Sequence, residues 1–537
     1  MGADDSHDSL FLRLEQLNEI GAALSSERDI DRLLEKILLA AKAITHADGG
    51  TLYRMTDARQ ALCFEIVRND SLGIALGGTS GNPINYPDLP LQDEQGVPNN
   101  SMVAVFAALN DRTVNIADAY SEAGFDFSGT RKFDARSGYR SCSFLTVPMK
   151  NHEHEIIGVL QLINAINPET GAVIPFSLAA QHLAESLASQ AAIALSNRLL
   201  ISQLEALFES FIKLINLAID EKSPYTGGHC QRVPALTMMI AEAVNATHAG
   251  PFADFTMSES DLYELKIAGL LHDCGKVTTP VHVVDKATKL QTLFDRIDLV
   301  DTRFEVLKRD VQIAALRKQL ELRTSTDRAA ETACWADCLK EMGVLDEERA
   351  FLHRANIGSE IMSQADQQRV RDIGTTRTWR NPVGVDADFL SAEEIENLAI
   401  RSGTLTAKER ETINHHIVAT NKMLEALPWP KHLQRVPEYA GGHHERMDGK
   451  GYPRGLTREQ MSLQARMMGI ADIFEALTAK DRPYKSGMKL SQAIDIMKKF
   501  SKNGHIDSEL FEVFIRQGVH LRYAADFLDP AQIDQVG

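Results

Sequence analysis

Apolar positions follow two rhythms along this chain. Between residues 49 and 165 the stretches GGTLYRMTD, ALCFEIVRND, YRSCSFLTVPMKN and EIIGVLQLINA are β-branched or alternate apolar with polar, and each breaks at turn residues. A helical stretch, LLEKILLAAKAITHA, precedes them. This predicts an α+β domain, an antiparallel sheet with flanking helices. From Ser177 to about Asp220 there is no glycine or proline, and Leu183, Leu187, Leu195, Leu199, Leu204, Phe208, Phe211, Leu214 and Leu217 recur at helical intervals, which predicts one long helix over about 177–222. Two arrangements fit it: a parallel helix paired across a homodimer, or a terminal helix on its own sheet followed by a separate helix. Beyond Lys222 the rhythm is helical. In the segment 285–403, Leu290, Leu293, Ile297, Val300, Phe304, Leu307, Val311 and Ala314 alternate spacings of three and four, a coiled-coil seam, and a second helical stretch from Asp346 to about Val370 can fold back on it. This predicts a helical hairpin projecting as an arm.

Length and charge narrow the classes. With 537 residues there is room for two or three domains, each with a proper core. A formal net charge of −17 without a lysine or arginine block excludes a broad surface for nucleic-acid polymers or anionic membranes. An anionic ligand must therefore meet a local basic pocket. MGADDSHDSL lacks the regions of a signal peptide and no apolar run is long enough for a bilayer, so the expected location is cytoplasmic. Six scattered cysteines argue for reduced thiols, with Cys334 and Cys338 two ordinary thiols on a helix.

The chemistry is concentrated in histidines and aspartates. In DLYELKIAGLLHDCGK, Leu262, Leu265, Gly269 and His272 share a buried stripe, and Asp273 lies about 100° further round, at the end of the helix. In TAKERETINHHIVATNKMLEAL, the stripe through Ile413, Ile417, Thr420 and Leu424 takes in His416 and leaves His415 at the surface. In ARMMGIADIFEALTA, Asp472 falls on a face of small apolar residues, where an unpaired carboxylate would be costly. His443 and His444 come from a loop, so both can reach one centre. Four imidazoles and two carboxylates exceed one tetrahedral zinc site and suit two octahedral ions, with iron or manganese favoured by nitrogen and oxygen ligation without thiolate. Such a pair of ions fits phosphodiester hydrolysis.

YTGGHCQRV, LLHDCGKVTTP, the His416 helix, HHERMDGKGYP and ADIFEALTAKDRPYK together resemble an HD-GYP domain over about residues 205–290 and 400–520. That family comprises metal-dependent hydrolases of cyclic dinucleotides, chiefly cyclic di-GMP. The resemblance implies an all-α catalytic domain over about 205–520, with Asp273 bridging the metals and Lys276 beside the scissile phosphate. It also implies that Arg482 and Lys485 contact substrate phosphate, and that Gly451, Tyr452 and Pro453 shape the pocket rim and offer a surface to partner proteins, cyclases among them. Some relatives hold a third metal through a glutamate where this chain has Tyr225; a two-metal site is therefore expected, with His229 an auxiliary ligand or phosphate contact. The implied reaction linearises cyclic di-GMP to pGpG and can continue to GMP. A hybrid cyclic GMP-AMP substrate and a slow sensor or scaffold are the alternatives.

The first part resembles a GAF domain over about residues 15–200, most closely in KFDARSGYRSCSFLTVPMKN followed by IIGVLQLINA. Lys132, Phe133 and Asp134 match part of the Asn-Lys-Phe-Asp-Glu signature of cyclic-nucleotide-binding GAF domains, while Arg131 and Ala135 depart from it. A small GAF ligand and a ligand-free contact role both remain open.

Overall fold

A computed structural model describes residues 20–534 apart from 25, 28, 57, 224–227, 323–327, 359–360 and 481–486. Two of the candidate substrate contacts, Arg482 and Lys485, and the departure at Tyr225 lie outside the described residues. The chain divides into two compact units at Phe208/Glu209, inside the long helix.

In the first unit, α1 (Ile30–Thr45) starts where the Asp29 side chain accepts from the Arg32 amide and stops where His46 turns left-handed. The strands β1 (Ala47–Met55), β2 (Ala61–Asn69), β3 (Ile74–Gly77), β4 (Leu89–Pro90), β5 (Val114–Ile116), β6 (Phe144–Lys150), β7 (Ile156–Ile166) and β8 (Val173–Ile174) form one antiparallel sheet. Its order is β3-β2-β1-β7-β6-β5, with β4 on β2 and β8 on β7. The four predicted strands are its long members. The short ones carry two to four residues and little burial, too little for alternation to be visible in sequence. One face packs on α1 through Leu33, Leu34, Ile37 and Leu38. The other carries α2 (Val103–Asn110).

On α3 (Ser128–Ser137), Asp134 accepts from the Tyr120 hydroxyl and from the amide and hydroxyl of Ser141, all at 2.8 Å. Its carboxylate therefore closes a loop.

The helix α4 runs from Leu178 to Lys222 as one 45-residue element. Its first half packs on the unit's core through Ala184, Leu187, Ala188, Ala191, Ala192 and Leu195. The alanines let the helix lie close to the sheet, so Leu187 and Leu195 are spent on the unit's own core and do not belong to an outward seam.

The second unit is nearly all helix. After α5 (His229–Asn245), α6 (Glu259–Leu271) is opened by a capping box of Ser258 and Asp261. A tight turn at Cys274–Thr278 and α7 (Val281–Val284) then lead into the insertion. There α8 (Ile297–Leu322), α9 (Arg328–Ile357), α10 (Gln364–Thr376), a hairpin of β9 (Thr378–Arg380) and β10 (Asp386–Asp388), and α11 (Ala392–Leu398) enclose a satellite core. This core holds Leu290, Ile297, Val300, Phe304, Leu345, Leu352, Val370 and Phe389.

Three details of the predicted seam are corrected. The helix begins at Ile297, leaving Leu293 93% exposed, and the seam runs to Ala315 while Ala314 faces out. The return helix starts at Arg328, not Asp346, because Cys334 and Cys338 pack as small apolar side chains against Ala315. The chain closes with α12 (Ala407–Glu425), α13 (Val436–Gly441), α14 (Leu463–Thr478), α15 (Leu490–Lys502), α16 (Ser508–Arg516) and α17 (Val519–Phe527).

Candidate metal centre

Close approach of backbones assembles the site. At Gly275, just past α6, a β-carbon would lie 2.0 Å from the His416 carbonyl oxygen, so only glycine lets the turn meet α12; its amide donates to Thr420 Oγ1 at 2.9 Å. At Gly451 a β-carbon would lie 2.4 Å from the Arg446 amide nitrogen. There the loop folds over Glu445, whose buried carboxylate accepts from the amides of Arg454 at 2.7 Å and Leu456 at 2.9 Å. This brings Tyr452, which precedes Pro453 through a cis peptide bond, onto the His444 ring at a centroid distance of 4.8 Å. His443 and His444 thus arrive from a loop anchored on α13.

Three imidazoles are aimed in one way. Nδ1 of His272 donates to the Gly269 carbonyl at 2.7 Å, Nδ1 of His443 to the Ala440 carbonyl at 2.5 Å, and Nδ1 of His416 to the Ile413 carbonyl. A carbonyl only accepts, so each Nδ1 carries the hydrogen, and it is Nε2 of each ring that faces the centre and is left to offer a lone pair to a cation. The centre is Asp273, buried at the end of α6. Its Oδ2 lies 3.2 Å from His272 Nε2 and 3.0 Å from His229 Nε2, and its Oδ1 lies 3.2 Å from His416 Nε2. His444 Nε2 lies 3.2 Å from His416 Nε2, and Asp472 Oδ1 lies 3.4 Å from His229 Nε2. Ligand atoms of Asp273, His416, His443 and His444, and separately of His229, His272 and Asp273, lie within 4.8 Å of one another. All seven predicted ligands are brought together, and His415 is exposed as expected.

Electrostatics fit a cation. His443 Nε2 and Asp273 Oδ1 are buried and have no hydrogen-bond partner among the described residues. Both are acceptors, and Asp273 Oδ1 faces another lone pair, on His416 Nε2. Lone pairs and a carboxylate pointing at one another repel unless positive charge lies among them. Protonating His443 or His444 is an unfavourable source: burial, with His272 adding to it, lowers His443 to about 4, and burial with His443 holds His444 well below its ordinary value. Burial also works against the Asp273 carboxylate, yet Lys276 and His272 hold its pKa well below the usual range; burial opposes Asp472 too, but His444 and His229 keep it ionised. The donor set is that of a divalent-metal centre.

Two residues escaped the sequence analysis. Glu475, fully buried on α14, accepts from His229 Nδ1 at 2.6 Å and from Arg232 Nε at 2.8 Å. It fixes the His229 ring with Nε2 toward Asp273. Burial works against protonation of His229, but the Glu475 charge prevails and raises it to about 9. The signal was present: Asp472 and Glu475 stand three apart on one helix face, as do His229 and Arg232. Lys276 Nζ donates to Asp273 Oδ2 with its side chain 18% exposed, so an ammonium stands between the cluster and solvent.

Residues 29–195 match the GAF domain family, and residues 226–342 and 391–510 match HD domain families. A 3'3'-cGAMP-specific phosphodiesterase of Vibrio cholerae is 47% identical over 81 residues, 15% of this chain and 19% of the relative. A cyclic di-GMP phosphodiesterase of Pseudomonas aeruginosa is 49% identical over 74 residues, 14% of this chain and 17% of the relative. Another 3'3'-cGAMP-specific phosphodiesterase of V. cholerae is 39% identical over 172 residues, 32% of this chain and 30% of the relative. The chain thus spans less than a third of the length of these three relatives. The fold and site define an α+β domain followed by a helical domain that carries a candidate metal centre. The chain thus carries a stretch similar to GAF domains followed by two stretches similar to HD domains. No described helix is long and apolar enough to cross a membrane.

Proposed function

We propose that the protein is a cyclic dinucleotide phosphodiesterase that linearises cyclic di-GMP to pGpG, can continue to GMP, and acts as a homodimer under GAF control. The observation that carries this is the convergence of His272, Asp273, His416, His443, His444, Asp472 and His229 with two orphaned acceptors at their centre. These residues would hold two divalent ions, iron or manganese, with Asp273 shared between them and His229 auxiliary. Divalent ions there would polarise a phosphodiester and make a bound water a better nucleophile.

The chain's own groups have separate duties. The carbonyls of Gly269, Ile413 and Ala440 fix the three ring tautomers, so the donors are set before substrate arrives. Lys276, held on Asp273, places an ammonium where a non-bridging phosphate oxygen gathers charge, and Arg482 and Lys485 supply further phosphate contacts. The ring of Tyr452, stacked on His444, borders the site and excludes water on that side. The Gly451–Pro453 turn offers a surface to a cyclase, and the GAF domain offers a place for a small ligand.

The test is chromatographic. Purified protein loaded with iron or manganese is offered cyclic di-GMP, cyclic GMP-AMP and a linear phosphodiester. Linear pGpG from cyclic di-GMP supports the proposal, preferential turnover of the hybrid moves the substrate assignment, and no turnover of either contradicts it.

A further inference from the structure

A buried lysine without a counter-charge opens onto a cavity at the base of the helical insertion. Lys289, just ahead of α8, is 1% exposed, and its Nζ donates to the carbonyls of Leu398 at 3.0 Å and Ile400 at 2.7 Å. Its third direction is taken by the Met362 thioether, a weak acceptor 3.6 Å away. Among the described residues no carboxylate pairs with this ammonium, and burial lowers its pKa from 10.5 to about 8. A buried charge left unpaired in this way is costly.

The cavity lies where α9 ends and α10 begins and measures about 380 Å³, toward the lower end of small-molecule sites. Arg354 and Arg369 line it beside Lys289, and among the described residues neither has an ion pair. The Arg369 guanidinium stands 4.4 Å over the Phe351 ring, which positions its head while leaving its N–H groups for another acceptor. One carboxylate, Asp366, also lines the cavity, and it is engaged by the Ser363 hydroxyl at 2.7 Å. Three cations against that one anion leave a net charge of +2, in a chain whose formal charge is −17. The apolar part of the wall includes Ile357 and Ile361, 51% and 73% exposed.

We propose that this cavity binds a small phosphomonoester with an apolar or aromatic body, the chemistry of a nucleoside monophosphate. Such a phosphate carries about −1.5 to −2 charges at pH 7, which matches the excess of the lining. Arg354 and Arg369 offer it guanidinium forks, and Lys289 exchanges a weak thioether contact for a charged one. The body of the ligand covers Phe351, Ile357 and Ile361, apolar surface that otherwise faces water. None of these residues is a candidate metal ligand or a candidate contact of the cyclic dinucleotide, so this site is independent of the catalytic reading.

Isothermal titration calorimetry of the full chain with GMP, AMP and inorganic phosphate tests this, beside an Arg354→Gln/Arg369→Gln variant in the same metal state. Any binding at the metal centre is then common to both proteins, and the difference between them reports the cavity. The wild type is expected to take up one or both nucleotides with a dissociation constant below about 1 mM. In the double variant that constant should rise at least about 20-fold, because two charge-assisted contacts are lost. Inorganic phosphate should bind the wild type at least about 10-fold more weakly than the better nucleotide, since it leaves the apolar wall uncovered. No nucleotide binding by the wild type, equal binding by the variant, or inorganic phosphate held as tightly as the nucleotides would overturn the proposal. Both arginines are exposed, and unchanged far-UV dichroism shows that the variant keeps its helices. If it does not fold, Arg354→Gln alone decides, with an expected rise of at least about 5-fold.

Discussion

Replacing Glu475 by glutamine should loosen the second unit and the metal centre together. Glu475 is fully buried, and its two oxygens serve His229 Nδ1 at 2.6 Å and Arg232 at 2.7 to 2.8 Å. Burial works against the carboxylate, but His229 and Arg232 lower its pKa from 4.5 to about 2. At 1.36 kcal/mol per pKa unit this corresponds to about 3 kcal/mol of stability. The sign follows from the direction. Between the folded and the ordinary value the unfolded chain binds more protons, so this stability is present above pH 4.5 and lost as pH falls toward 2. A glutamine amide has one acceptor for two donors and takes the carboxylate charge away from the half-buried Arg232, consistent with a loss of about 3 kcal/mol. Scanning calorimetry of the metal-stripped Glu475→Gln protein should show the second unit's transition lowered by about 4 to 5 °C, and the reloaded protein should retain less metal because His229 is no longer aimed. An unchanged transition with full metal content would refute the reasoning, since the Glu475 pair would then contribute neither stability nor orientation.

Lys276→Ala should lower turnover on the order of 100-fold while metal content stays at the wild-type level, measured by steady-state kinetics beside elemental analysis; metal loss to match would make Lys276 structural. Gly275→Ala should cost about 1 to 3 kcal/mol in urea unfolding and lower metal affinity, because its β-carbon meets the His416 carbonyl. Lys289 is buried and bonded through Nζ to the carbonyls of Leu398 and Ile400, and burial lowers its pKa from 10.5 to about 8. Between those values the unfolded chain holds more protons, so stability should rise from pH 8 to 10.5, and Lys289→Met should flatten that rise; a wild-type curve already flat there contradicts the assignment.

What the sequence disclosed and what it hid follow from how each feature is encoded. His272 and His416 could be found because a polar residue interrupts an apolar stripe that helical geometry fixes. Their aim could not, because the Gly269 and Ile413 carbonyls that set the tautomers are backbone atoms with no side-chain signature. Glu475 was missed although it stands three residues from Asp472, since its partners His229 and Arg232 lie more than 240 positions away. The long helix was legible from the absence of glycine and proline, but which of its apolar residues face the first unit's own core was not. Leucines at 187 and 195 look alike whether they meet a neighbouring sheet or a partner helix, and only the alanines between them betray the sheet. In the insertion the periodicity of Ile297, Val300, Phe304 and Val311 survived. It overran the ends because Leu293 and Ala314 keep the spacing without any element to pack against.

The central claim is that Asp273 and the six side chains around it form a centre for two divalent ions. It is tested most directly by elemental analysis of protein purified without oxygen and without added metal, with Asp273→Ala treated alongside. The account predicts about two equivalents of iron or manganese per chain in the wild type, and less than one in Asp273→Ala with its helical dichroism intact. A single tightly held zinc ion, no metal at all, or an Asp273→Ala variant that keeps its full complement would contradict it.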